Sequence, residues 1–185
     1  MHIRVLAPAA ASALLILHCA TLLGVSMVPL SVNELTDRAD VIVHGKVQSK
    51  TCLLDSAGRI YTSVQLEVLD VWKGSVSGQP FTISLAGGTL GDKRVVVSGQ
   101  ADYLPGEEVV AFLRLNQRAE GVTIGLSQGK FEVRVDARTG EKLVRNIFLG
   151  HEPATTAKTT PENASAPPNR LVLEDLKRAV QGRKR

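Results

Sequence analysis

The sequence predicts a mainly β domain, a barrel or a sandwich of about seven short strands, with one short helix before it and another after it. Three observations carry that prediction. Between Asp40 and Val144 apolar residues recur with a period of two, in short runs separated by Gly, Pro and Asp. A Ser-x-x-Glu pattern, Ser31 to Glu34, stands just ahead of the first run. Behind the last run, a stretch rich in Pro, Thr, Ala and Ser leads to apolar residues at helical spacing.

Taken in order, Ser31 and Glu34 form a capping box, in which each side chain satisfies a free amide of the other's turn. A short helix through Leu35 to about Ala39 follows, with Leu30 and Leu35 placed to staple its first turn. Val41, Val43 and Val47 then alternate as one face of a half-buried strand, and Gly45 interrupts the side-chain row where another element approaches. The turn Asp55 to Gly58 leads into a long strand with Ile60, Thr62, Val64, Leu66 and Val68 on one face. At Leu69 and Val71 the apolar face changes sides, which calls for a bulge or bend near Val68 to Asp70.

Phe81, Ile83 and Leu85 mark the next strand, followed by the loop Gly87 to Asp92 and the β-branched run Val95 to Val97. Leu104-Pro105-Gly106-Glu107 has the residues of a type II turn. Val109 to Leu115 is apolar on both faces at first, the mark of a central strand. Val122 to Ile124, Phe131 to Val135 and Lys142 to Val144 complete the set, the last two joined by the turn Asp136 to Gly140. Residues 150–169 read as a linker too poor in apolar groups to order itself. In the tail, residues 170–185, Leu173, Leu176 and Val180 define a short basic amphipathic helix ending near Gly182. Alone in water such a helix is marginal, so it docks or frays.

The first 26 residues have a charged start and then an Ala- and Leu-rich run, the layout of a signal peptide, with Gly24-Val25-Ser26 supplying the small residues before a cut at Met27. The expected product is exported, periplasmic or extracellular, with no membrane span once the signal is removed. A retained N-terminal anchor is the lesser alternative. Lipidation at Cys19 is disfavoured by His18 directly before it. The mature chain then has one cysteine, Cys52, read as a buried or half-buried small hydrophobe, and no internal disulfide. The net charge of +4 belongs to the tail. Arg170, Lys177, Arg178, Arg183, Lys184 and Arg185 outnumber Glu174 and Asp175 there, while the body is close to neutral, so the charge is no argument for a polyanion partner.

Gly125-Leu126-Ser127-Gln128-Gly129 fits a nucleophile elbow, with Asp136 and His151 following in hydrolase order. The elbow needs a strand turning into a helix, and here a strand follows, so hairpin glycines are the better reading. Gly87 to Asp92 precedes a strand where a phosphate loop would precede a helix. With Lys93 and Arg94 beside it, it is still the best ligand-contacting loop, and Thr89, Asp92, Lys93 and Arg94 are its candidate residues. His44, His151 and Cys52 are too scattered for a metal site, and no cofactor is expected. His44, opposite Val41 and Val43, is read as a solvated strand histidine. Tyr61, Trp72 and Tyr103 make no stacking platform for nucleic acid, and Trp72 is expected to lid the core.

The segment from Glu34 to Val47, then Tyr61 to Leu69 with Lys73-Gly74, Val97-Ser98-Gly99, Pro105 to Glu108 and Gln128 to Phe131, resembles an uncharacterised family of exported bacterial proteins over about Pro29 to Val135. More distantly it is similar to the OB-like barrel of netrin-type domains and tissue metalloproteinase inhibitors. That likeness implies a small OB-like Greek-key barrel and raises protease inhibition. Those inhibitors lead with a zinc-chelating cysteine, whereas Met27-Val28-Pro29-Leu30 offers none. The expectation is a non-catalytic exported module binding an unknown protein or envelope component. An inhibitor or accessory domain of an extracellular protease is the alternative, and a serine hydrolase using Ser127 comes third.

Overall fold

The computed structural model describes residues 28–148 and 171–182. The signal segment, the linker and His151 lie outside the described residues.

Helix α1 (Val32–Arg38) begins as the capping box requires. Ser31 Oγ accepts from the Glu34 amide at 3.2 Å, and Glu34 Oε2 accepts from the Ser31 amide at 2.9 Å. These bonds to Ser31, backbone first, hold the exposed Glu34 carboxyl below its usual pKa. Two long antiparallel strands follow, β1 (Val41–Leu54) and β2 (Ile60–Lys73), and then β3 (Phe81–Ala86). A small hairpin of β4 (Gly88–Leu90) and β5 (Lys93–Val95) stands apart as its own two-stranded sheet. The remaining strands are β6 (Glu108–Leu115), β7 (Gly121–Thr123), β8 (Lys130–Val135), β9 (Lys142–Arg145) and β10 (Leu171–Val172), and α2 (Leu173–Gln181) closes the chain.

The main sheet runs β1-β2-β3-β7-β6-β8-β9-β10, and β6 also pairs with β1, so five strands, β1, β2, β3, β7 and β6, close a barrel. Strand β6 is the hinge of this arrangement. One edge pairs with β1 from Leu113 to Glu108; the other is shared, its end with β7 and its start with β8. Strands β8, β9 and β10 therefore leave the barrel as a flap of sheet.

Closure makes two cores. Inside the barrel lie Val41, Val43, Val64, Leu66, Ile83, Val109, Ala111 and Leu113. Outside it, Ile42, Val110 and Phe112 turn the opposite faces of β1 and β6 toward α1, α2 and the flap, packing with Leu35, Trp72, Phe131, Leu173 and Leu176. A strand between two cores has no solvent face, which is why Val109 to Leu113 is apolar on both sides, while Arg114 and Leu115 beyond it are exposed.

The bulge expected near Val68 to Asp70 is present, but the apolar face does not change sides: Val71 stays with Val68 on the inner core and Leu69 is exposed. Gly45 faces Val68 and His44 faces Asp70, so Leu69 is an extra residue on β2, a bulge. Past it, Trp72 reaches the outer core and Val71 the inner one. Gly45 is needed at this crossing: a Cβ there would sit 2.5 Å from the Glu67 carbonyl oxygen. At Leu104 to Glu107 the type II turn is formed, with Gly106 at φ +88° and the Glu107 amide bonded to the Leu104 carbonyl at 3.0 Å.

Two further sequence expectations change. His44 is not solvated; it is 9% exposed, because the face opposite Val41 and Val43 looks into the outer core and not into water. The run Val95 to Val97 is strand only at Val95, and Val96 is exposed. The tail helix docks: Leu173, Leu176 and Val180 are buried in the outer core.

Candidate functional site

A groove of about 1270 Å³ opens at one end of the barrel. Its walls come from three turns. The first joins β1 to β2 and is fixed by Asp55, whose Oδ1 accepts from the Ala57 and Arg59 amides at 2.9 and 2.8 Å and whose Oδ2 accepts from Arg59 Nε at 2.7 Å. These bonds, led by the Arg59 amide, hold the Asp55 carboxyl below its usual pKa.

The second turn joins β6 to β7. Asn116 Oδ1 accepts from the amides of Arg118 and Glu120, its Nδ2 donates to Glu120 Oε2, and the Arg118 guanidinium donates to the same oxygen at 2.7 Å. The Glu120 pKa is lowered, first by that guanidinium. So held, Arg118 lies 5.2 Å from the centre of the Tyr61 ring, a cation–π contact.

The third wall is the β4–β5 hairpin, folded back over β1 and β2. Gly87 and Gly88 permit the fold, at φ +80° and +138°. A Cβ on Gly88 would sit 2.6 Å from both Cys52 Sγ and Thr62 Oγ1. Thr62 donates to the Gly87 carbonyl at 2.8 Å, with half-buried Cys52 3.4 Å from the same hydroxyl.

The floor is apolar, with Ile60, Leu85, Ala86, Val97 and Val122, and the hairpin adds Leu90 and Val95. The charged lining residues are Arg59, Lys93, Arg94 and Arg118 against one carboxylate, Asp55. Arg59 and Arg118 are each engaged by a carboxylate, but among the described residues Lys93 and Arg94 form no ion pair. Of the four loop residues picked from sequence, Lys93 and Arg94 line the groove; Thr89 and Asp92 are exposed on the hairpin and do not. Tyr61, Arg59 and Arg118 escaped the sequence reading as site residues. The Asn116-to-Glu120 turn was their available signal, since an Asn followed by a spaced Arg and Glu organises a loop that presents a cation.

A second polar cluster lies on the outer core. His44 Nε2 and Lys142 Nζ both approach Glu108 Oε1 at 2.6 Å, and the His44 ring stands 6.1 Å from Trp72. Burial pushes the Glu108 pKa up, but its bonds to Lys142 and His44 and their charges outweigh that, so it sits below the usual range. Trp72 Nε1 donates to Asp70 Oδ2 at 3.1 Å, and Lys177 of α2 pairs with the same oxygen at 2.8 Å. That contact, first by its hydrogen bond, lowers the Asp70 pKa. The cluster ties β9 and α2 to the barrel.

The Gly125 to Gly129 segment is a tight turn between β7 and β8, but not the expected hairpin: both strands run antiparallel to β6 along one edge and do not pair with each other. The Gly129 amide bonds the Ile124 carbonyl at 2.8 Å, and Gly125 and Leu126 adopt φ +59° and +62°. Ser127 Oγ is buried without a hydrogen-bond partner among the described residues. Among those residues no three His, Cys, Asp or Glu side chains converge as metal ligands, and no helix is long and apolar enough to cross a membrane.

In comparisons with known proteins, the sequence matches no protein-family model and no curated relative. The groove and the barrel therefore carry the functional argument by themselves.

Proposed function

We propose that this chain is a non-catalytic exported binding module whose working surface is the groove at the β1–β2, β4–β5 and β6–β7 end of the barrel. The observation that carries this reading is the pairing of an apolar floor with Lys93 and Arg94, two exposed cations that no carboxylate of the described residues neutralises. A concave apolar surface with a few polar groups at its rim is the common form of a binding site. The export part of the reading rests on the layout of residues 1–26. A closed barrel of five strands is also what the likeness to OB-like, netrin-type domains calls for, and we carry that likeness as part of the proposal.

The test is affinity capture from envelope extract, comparing the wild-type protein with Lys93→Glu/Arg94→Glu. Both side chains are exposed, so the variant should fold. Envelope components enriched on the wild type and lost on the variant are expected. Equal recovery on both, or recovery no better than bare resin, would remove the groove as the working surface.

A further inference from the structure

We propose that the groove takes an extended, acidic polypeptide segment as an added strand along the open edge of β3, an inference that rests on the groove being the binding face. Strand β3 pairs with β2 along its whole length, from Phe81 opposite Leu66 to Ala86 opposite Tyr61. On its other side it meets β7 at one position only, Ile83 opposite Gly121. Beyond that point Ser84, Leu85 and Ala86 have no strand on their far side among the described residues, and all three line the groove.

The direction of their backbone groups follows from the ladder. The Gly87 amide donates to the Ile60 carbonyl at 3.0 Å, so the position just past Ala86 and Tyr61 is a hydrogen-bonded one. Antiparallel pairs alternate between bonded and non-bonded positions. Leu85 therefore spends its backbone groups on Thr62, while those of Ser84 and Ala86 point away from β2; the bridge of Ile83 to Gly121 takes the Ser84 amide, which leaves the Ser84 carbonyl and both backbone groups of Ala86 toward the groove. An open strand edge in a concave site is the template that β-augmentation uses.

The side chains around this edge define the guest. Leu90, Val95 and Val122, exposed at 36%, 47% and 40%, give apolar contact for alternate residues of an added strand. Lys93 and Arg94 sit beside them and call for carboxylates on the intervening ones. At about 1270 Å³ the groove exceeds the roughly 300–1,000 Å³ of small-ligand pockets, which favours a stretch of chain. An anionic lipid would meet the apolar and cationic groups but leave the strand edge unpaired. Single-stranded nucleic acid lacks a platform, since Tyr61 is the groove's aromatic residue and Arg118 covers it.

The experiment is fluorescence anisotropy with the purified protein and a labelled octapeptide of alternating valine and glutamate. Saturable binding is expected, weakened by salt because the cations are exposed. Lys93→Glu/Arg94→Glu should weaken it at least about tenfold, the equivalent of 1.4 kcal/mol. The same peptide methylated on alternate amides should lose a similar factor, a readout that does not depend on any protein variant folding. Methylated and parent peptides binding equally would overturn the added strand. So would binding of phosphatidylglycerol vesicles or oligothymidine in place of the peptide, or no peptide binding up to about 1 mM, where affinity is only about 4 kcal/mol. If envelope capture still depended on Lys93 and Arg94 in those cases, the groove would stand as the binding face and only its guest would be wrong.

Discussion

Thr62 donates its buried hydroxyl to the carbonyl oxygen of Gly87 at 2.8 Å, and this bond fastens the root of the β4–β5 hairpin to the barrel wall. Gly88, the next residue, lies so close that any side chain would strike Cys52 and Thr62. Gly88→Ala should therefore lift the hairpin and widen the groove while the barrel stays folded. Faster amide exchange confined to Gly88–Val95, with little change in melting temperature, is the expected result. A global loss of stability would mean that the hairpin also supports the barrel.

Glu108 gives a pH dependence with a definite sign. Its folded pKa lies below 4.5, so the stability it contributes is present in full above about 4.5 and is lost as the pH falls through the folded value. Glu108→Gln should be less stable than wild type near pH 7, with the difference shrinking below about pH 4.5. Thermal unfolding of both proteins across about pH 3–7 checks this.

Leu176 is fully buried where α2 meets α1 and Trp72. Leu176→Ala should cost about 2–5 kcal/mol, the range for a core leucine. Trp72 is the sole tryptophan of the chain, so its emission reports directly on the helix. A red shift at denaturant concentrations where wild type remains folded is expected; unchanged emission and stability would show that α2 is dispensable.

Gln128 straps the start of the described chain to the β7–β8 turn. Its side-chain oxygen accepts from the Leu30 amide at 2.6 Å and its Nε2 donates to the Val28 carbonyl at 3.3 Å. Gln128→Ala should cost about 0.5–1.5 kcal/mol, the net worth of such a bond, because the exposed Val28 and half-buried Leu30 can turn to water. Hydrogen exchange at Leu30 should quicken while β6 stays protected.

Much of the barrel is legible in the sequence because period-two patterning records each strand's faces. The capping box, the bulge at Leu69, the Gly106 turn and the both-face burial of β6 each had a local signature. His44 was misread because alternation tells one face from the other but not what lies beyond each. A second core replaced the expected water. Ile42 on the same face was the available warning. The groove was half legible: Lys93 and Arg94 sit beside a glycine loop, but Arg59 and Arg118 arrive from turns far away in sequence, and no local pattern records that they meet.

The packing of α2 has a consequence for the chain as a polymer. Because α2 belongs to the same chain as the barrel, it docks as a covalently attached ligand, and attachment turns its binding into an intramolecular event. Cutting that connection would turn docking into a bimolecular equilibrium, with stability that falls on dilution. An intact chain should melt at one temperature whatever its concentration, and a nicked one should not.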